Sequence, residues 1–198
     1  MPSKEEQLLV AVKILRNGGV VGAATETFFG ILADLRRKNI ARRITRIKQR
    51  KVRQPIPIVI PSDDFLIKLV EEVPNIALLL AKTYWPGPLT MVMKARSVVP
   101  RDLLSPEGTI AVRVPGPCDA NDILQMFGGP LTASSLNIHR HPPATTARHA
   151  RQELDSTLDV IIPGRAPGGL PSTIIDVTTT PPKILRHGAV KVAGRFLR

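Results

Sequence analysis

Apolar residues recur along this chain in two rhythms, and the switches between them mark its elements. Leu8, Leu9, Val12 and Leu15 form one apolar helical face behind Ser3 and Glu6, whose three-residue separation is that of a capping box, and Asn17-Gly18-Gly19 closes the helix. Val20-Val21-Gly22-Ala23-Ala24 is a continuous apolar run of strand length that delivers Thr25-Glu26-Thr27 into a turn before Phe28-Phe29-Gly30. Ile40, Ile44 and Ile47 restore an i, i+4, i+7 stripe. It stops before Lys48-Gln49-Arg50, and Pro55 and Pro57 forbid a helical continuation, so Pro55 to Ile60 reads as a strand. Lys48 and Arg50 stand two apart and share no helix face. They can aim at one site only because the helix ends there, which places both at a frayed terminus, free to converge on an anion.

Further on, Pro61-Ser62-Asp63 reads as the N-cap of a helix carrying Phe65, Leu66, Leu69 and Val70, and Pro74 interrupts it before a second helix over Asn75 to Tyr84. Trp85-Pro86-Gly87-Pro88 imposes a turn ahead of a strand from Leu89 to Met93, and Ser97 to Gly108 reads as loop. From Thr109 to Pro115 apolar residues alternate with Thr109, Ala111 and Arg113, which share one strand face. A helix over Asp119 to Phe127, a strand over Leu131 to Ser135, a His- and Pro-bearing loop over Ile138 to Ala144 and a helix over Thr145 to Leu154 follow. Leu158 to Ile162, Ser172 to Val177 and Ile184 to Arg186 complete a strand-rich tail. Several strands lie too close in sequence for a parallel crossover, so the pattern predicts a mixed, twisted α/β sheet.

Charge adds a partner to this picture. The 198 residues carry 28 Lys and Arg against 16 Asp and Glu, a formal net charge of +12, at an otherwise ordinary 43% hydrophobic content. That balance points to a polyanion such as nucleic acid, or to small anionic substrates steered by the field. Arg36, Arg37, Lys38, Arg42, Arg43, Arg46, Lys48, Arg50, Lys51 and Arg53 crowd an interval from Asp34 to Asp63 that holds no acidic residue, a pattern that a solvated helix face also explains. Aromatic residues, at 4%, offer few stacking platforms for single strands. Cys118 is the single cysteine, which excludes an internal disulfide and fits a reducing compartment. His139, His141 and His149 show no HExxH pairing and no obvious carboxylate partner, so no metal site is expected. The apolar runs are too short to span a bilayer, and Met1-Pro2-Ser3-Lys4-Glu5-Glu6 precedes no apolar signal core; a cytoplasmic location without membrane contact is expected.

The candidate chemistry occupies a recurrent position. Thr25 and Thr27, Lys48 and Arg50, Arg113, Ser135 and Asn137, Ser172 and Arg186 all fall at strand ends or in adjoining turns, where α/β folds build sites. On this pattern alone an ordinary Ser/Thr turn is the favoured explanation of the two threonines. Lys48, Arg50, Arg113 and Arg186 are too many cations for a neutral ligand and suit phosphates plus a carboxylate. The chain has no GxxxxGK[ST] loop, GxGxxG turn or GxSxG elbow, so any nucleotide binding rests on side chains, and covalent catalysis is not expected.

Seven ordered blocks carry a resemblance: Thr25-Glu26-Thr27-Phe28-Phe29-Gly30, Lys48-Gln49-Arg50, Trp85-Pro86-Gly87-Pro88-Leu89-Thr90, Ala111-Val112-Arg113-Val114-Pro115, Ala133-Ser134-Ser135-Leu136-Asn137, Ser172-Thr173-Ile174-Ile175-Asp176 and Arg186-His187-Gly188-Ala189. In this order, over residues 8–192, they resemble the YrdC-type threonylcarbamoyl-AMP synthases. The resemblance implies a single YrdC-like domain over 1–198, with a twisted mixed sheet flanked by helices around a basic concave cavity. It implies ATP with Mg²⁺, L-threonine and bicarbonate as substrates, and no prosthetic group. Threonine is carboxylated on its amine, the carbamate attacks the α-phosphorus, and threonylcarbamoyl-AMP and pyrophosphate leave, which makes the protein a nucleotidyltransferase. A transferase complex then passes the group to the adenosine beside the anticodon of certain tRNAs, with tRNA or double-stranded RNA a further expected partner of the basic surface.

Residue by residue, the resemblance assigns Lys48, Arg50, Ser135 and Asn137 as the catalytic tetrad. It assigns Arg50, Gln54, Thr109, Ser135, Asn137 and Arg186 to ATP, and Thr27, Arg113, Ala133 and Ser172 to L-threonine, with Arg113 opposite its carboxylate. The chain departs from the family pattern at Ala24 and Lys51, where proline is usual, and at Gln54, where asparagine commonly meets ATP. Ile138-His139-Arg140-His141-Pro142-Pro143 replaces a Ser-Gly-rich loop and puts Pro143 where some relatives present a nucleotide-binding serine. Two rival readings stand. One is the related carbamoyl-transfer domain of hydrogenase maturation, which adenylates carbamate without threonine but is accompanied by acylphosphatase and zinc-finger segments that this chain lacks. The other is a non-catalytic RNA-binding module that clamps phosphates with Arg36 to Arg53 and shows steep salt dependence.

Overall fold

The computed structural model describes residues 2–52 and 54–198, Asp155 by its backbone alone, so Arg53 of the basic stretch lies outside the described residues. Its helices are α1 (Lys4–Arg16), α2 (Ile40–Ile47), α3 (Leu66–Leu69), α4 (Asn75–Tyr84), α5 (Asp119–Phe127) and α6 (Ala147–Leu154). Its strands are β1 (Val20–Ala24), β2 (Phe29–Asp34), β3 (Ile58–Val59), β4 (Leu89–Lys94), β5 (Thr109–Arg113), β6 (Leu131–Ser135), β7 (Val160–Ile161), β8 (Thr173–Asp176) and β9 (Lys183–Arg186). All nine strands join one sheet in the order β7-β1-β2-β6-β3-β5-β4-β8-β9. The β1–β7, β3–β5 and β4–β8 pairs are parallel and the rest antiparallel, the mixed sheet that the strand spacing predicts.

Local chemistry accounts for the best-defined elements. At α1 the Ser3 hydroxyl accepts from the Glu6 amide and the Glu6 carboxylate accepts from the Ser3 amide, a complete capping box. α5 ends at Gly128, whose φ of 74° suits the left-handed conformation that closes a helix. One sheet face packs against α1 and α5 through Leu15, Leu32, Ile123, Leu124 and Leu131. The other packs Ile31, Ile58 and Met91 with Ile44 of α2 and Leu80 of α4 in the larger core. Each such fully buried side chain contributes about 1.5–3 kcal/mol. Leu131, Ala133 and Ser135 share a face by the period of two; Leu131 is buried in the α1–α5 core, Ala133 packs at its edge, and Ser135 lies beyond it. Both Ala133 and Ser135 face a cavity.

Several boundaries differ from the expectations. β2 was not anticipated: Phe29–Asp34 is a six-residue strand buried on both faces, paired with β1 and β6. The expected strand from Pro55 to Ile60 is reduced to Ile58–Val59. Pro55 and Pro57 have no N–H for a ladder, while the Ile56 and Ile60 amides bond the Leu103 and Arg113 carbonyls instead. Ser62 does not cap a helix through its hydroxyl; a 3₁₀ turn over Asp63–Phe65 precedes α3, and Val70 leaves the helix to bridge Ala95. α6 begins at Ala147 rather than Thr145, because Thr146 bridges Arg165 and its hydroxyl accepts from the His149 amide. The ladder over Leu158 to Ile162 is confined to β7.

Candidate functional site

A cavity of about 710 Å³ opens across the sheet. Register explains why its polar groups meet: Val59 of β3 pairs with Arg113, Thr90 of β4 pairs with Ile174, and Ile174 pairs with Arg186. These five residues form a lateral row in the cavity wall, with Ala133 and Ser135 of β6 on one flank and the 25–30 turn beside them. Residues from five distant parts of the sequence are thus brought to one surface by strand pairing alone.

At one end lie the predicted tetrad residues. Lys48 caps α2, and Gln49 takes a left-handed φ of 50°, turning the chain so that Arg50 reaches the cavity wall. The Lys48 ammonium is buried rather than free. It donates to the Ser135 carbonyl, to the Asn137 carbonyl at 3.1 Å and to Asn137 Oδ1 at 2.7 Å. Ser135 Oγ donates to the same Asn137 Oδ1 at 2.7 Å, and Asn137 Nδ2 donates to the His141 carbonyl at 2.6 Å. The expectation of a frayed, open Lys48 is corrected by this burial: the amine is the hub of the Ser135–Asn137 segment. Burial first, and the nearby Arg50 charge second, lower its pKa to about 7, against the pull of the surrounding oxygens. Arg50 is the converse. Its Nε and Nη1 are buried without a hydrogen-bond partner, and burial lowers the guanidinium from its ordinary value.

At the other end, Arg113 Nη1 donates to Glu26 Oε1 at 2.9 Å, with both side chains almost fully buried. Thr25 and Thr27 are buried beside this pair, their hydroxyls 3.1 Å apart, and Thr25 Oγ1 donates to the Phe28 carbonyl, which fixes the turn. Arg186 donates to the Ser172 carbonyl at 2.8 and 3.1 Å and to its hydroxyl at 3.0 Å, while Thr90 Oγ1 donates to that hydroxyl at 2.9 Å. Burial, then the charge of Arg113, lowers the Arg186 pKa.

Of the residues singled out from the sequence, Thr27, Arg50, Gln54, Arg113, Ala133, Ser135, Ser172 and Arg186 line the cavity. Lys48 and Asn137 stand behind Ser135. Thr109 does not join them: it begins β5, four positions before Arg113, and its hydroxyl bonds Ser105 Oγ at 2.8 Å. Pro143 of the unusual loop lines the wall, and the His139 amide ties that loop to the Lys48 carbonyl. His141 has a carboxylate neighbour after all, with Nδ1 3.3 Å from Glu153 on α6. Glu26 and Thr90 complete the geometry and went unassigned; their only signal was membership of the Thr25 to Gly30 and Trp85 to Thr90 blocks.

The cavity has two differently furnished ends, one with Arg50 donors left unbonded and one with an arginine steadied by a carboxylate, a donor set chemically suited to anions. A family model, Sua5/YciO/YrdC, described as telomere recombination, matches residues 13–188, and the chain belongs to this family. Among individual proteins, the threonylcarbamoyl-AMP synthase of Pyrococcus abyssi is 36% identical over 188 residues, which cover 94% of this chain and 55% of that protein. The crystal structure of P. abyssi Sua5 complexed with L-threonine superposes with a TM-score of 0.87 at 34% identity, over 95% of this chain and 55% of the other. The structure of Escherichia coli YciO gives 0.86 at 27% identity, over 100% and 95%. The chain spans about half the length of the first curated relatives it matches. No helix among the described residues is long and apolar enough to cross a membrane.

Proposed function

We propose that this domain is a threonylcarbamoyl-AMP synthase, a nucleotidyltransferase that converts L-threonine, bicarbonate and ATP into L-threonylcarbamoyladenylate, pyrophosphate and water. The observation that carries the reading is Arg50, whose two buried donors lack a partner among the described residues and lie in the wall of a cavity also lined by Arg113 and Arg186 and, among those residues, by no acidic one. Arg113 receives the threonine carboxylate, with Thr27 and Ser172 beside it. Arg50, Ser135 and Arg186 take the nucleotide. In the adenylating step a carbamate oxygen forms the bond to the α-phosphorus and the bond to the pyrophosphate oxygen breaks. Negative charge grows on the equatorial oxygens, so fixed guanidinium donors stabilise the transition state more than the ground state, and losing one costs about 10²- to 10³-fold. Lys48 acts through Ser135 and Asn137, whose positions it fixes.

Mg²⁺ belongs here to the ATP substrate complex. The described residues form no cluster of three or more His, Cys, Asp or Glu to hold it. The product is an activated acyl-phosphate anhydride, whose consumption by a tRNA-modifying transferase in the cytoplasm completes the reading. The test is pyrophosphate release by purified protein given ATP, Mg²⁺, bicarbonate and threonine. Release that depends on threonine and nearly vanishes in Lys48→Ala and Arg50→Ala is expected. Release indifferent to threonine, or both variants at the wild-type rate, refutes it.

A further inference from the structure

Among the charged groups of the cavity, one carboxylate stands out by position. None of the described lining residues is acidic, yet Arg113 is held from behind by Glu26, whose Oε1 accepts from Nη1 at 2.9 Å. The pair is shielded, with side-chain exposures of 9% for Arg113 and 13% for Glu26. The Glu26 stem is packed as well, since a Cβ placed on Gly116 would lie 3.6 Å from its Cγ, and its second oxygen faces the Cys118 thiol at 3.9 Å. The main chain at Glu26 is held on either side, because the Thr25 hydroxyl accepts from the Thr27 and Phe28 amides. A carboxylate so restrained has one cationic partner, a thiol donor on its other oxygen, and one orientation.

We propose that Glu26 is the positioning and specificity residue of the Arg113 end: it aims that guanidinium and cancels one positive charge, so that this end accepts a monoanionic carboxylate and turns away a dianionic phosphate. This rests on the reading of the cavity as a site for an amino acid beside a nucleotide. Without Glu26, Arg113 and Arg186 would face the same space as two uncompensated cations, and that arrangement matches phosphate better than carboxylate. An enzyme whose second substrate and product carry phosphates gains from such a filter, because free phosphate or pyrophosphate lodged at the amino-acid end would inhibit it. The opposite end shows the contrast, with Arg50 left uncompensated.

The experiment uses inorganic phosphate and L-threonine as probes of the wild type, Glu26→Gln and Glu26→Asp, each checked by thermal melting. Calorimetric titration with phosphate, with Arg50→Met added to each protein to silence the other end, is expected to show at least tenfold tighter binding with Glu26→Gln than with Glu26 intact, and equally weak binding with Glu26→Asp, which keeps the charge. In the pyrophosphate assay both single Glu26 variants are expected to raise the KM for threonine about tenfold or more, with the KM for ATP within twofold, because the shorter aspartate loses its reach to Arg113. Equal phosphate affinity with Glu26 intact and with Glu26→Gln overturns the charge filter, whether or not the wild type proves threonine-dependent, and thereby separates this proposal from the assignment of the reaction. A parallel rise in the KM for ATP overturns the claim that Glu26 serves the amino-acid end.

Discussion

Replacing Arg50 by methionine is expected to make the free protein more stable while disabling it. Nε and Nη1 of Arg50 are buried with no partner. A buried donor left unbonded costs about 1–3 kcal/mol, so two of them represent about 2–6 kcal/mol of gross penalty in the ligand-free fold. Part of the side chain reaches water and methionine fills less volume, which leaves a net gain of about 1–3 kcal/mol. For a domain of this size each kcal/mol moves Tm by about 2–4 °C, so Arg50→Met is expected to melt about 2–12 °C higher. Scanning calorimetry measures this directly, and the same samples are assayed for threonine-dependent pyrophosphate release, which falls by about 10²- to 10³-fold. A further arm uses ATP: at one hundred times its Kd a ligand that binds only the folded state adds about 2.7 kcal/mol, and this increment is expected to be smaller in the variant. A lower Tm in Arg50→Met would show that the guanidinium is satisfied in the free protein, and undiminished turnover would show that it does not serve the phosphates.

Two other perturbations test neighbouring parts of the site. The Lys48 amine titrates near 7 in the fold against an ordinary 10.5, so unfolding takes up a proton between those values and stability rises with pH through that window. Below it both states are charged and the penalty for burying the cation is present in full. Urea melts are expected to show the wild type gaining stability relative to Lys48→Met from about pH 7 to 8.5; burial also holds the Cys118 thiol up at about 11, but that group is common to both proteins and cancels in the difference. Parallel pH curves for the two proteins would refute the shift. Gly188→Ala places a Cβ against the Pro171 carbonyl oxygen and 2.6 Å from Ser172 C and Thr173 N, all backbone atoms. It is expected to cost about 1–3 kcal/mol in calorimetry and to slow threonine-dependent turnover by displacing Ser172 from Arg186; an unaltered Tm and rate would show that this backbone yields freely.

Much of the fold was legible where caps and periodicity agree. α4 and α5 run over the residues expected of them because Pro74 and Gly128 mark boundaries that any packing must respect. β2 was not legible, since a strand buried on both faces shows no alternation and Gly30 within it resembles the end of the preceding turn. Pro55 to Ile60 misled in the opposite sense: its apolar residues are buried as a strand's would be, but burial does not require a ladder. At the site, the cations and hydroxyls were recognisable because they recur at successive strand ends inside the blocks that carry the family resemblance. Their partners were not, because Glu26 meets Arg113 across 87 residues of sequence, and the Lys48 amine meets Asn137 across 89.

That distinction between a charge and its partner divides Lys48 from Arg50. On a continuing helix the two would diverge, and the left-handed turn at Gln49 brings both to the Ser135 end of the cavity. There they meet opposite surroundings: oxygens surround the amine and none reaches Arg50 Nε or Nη1. A cation already supplied with acceptors holds structure, and one deprived of them holds a ligand. The number of positive charges therefore overstates what the cavity offers an anion. Lys48 is engaged by Ser135 and Asn137, Arg113 is compensated by Glu26, and Arg50 is left as the group that would gain most from an anionic ligand.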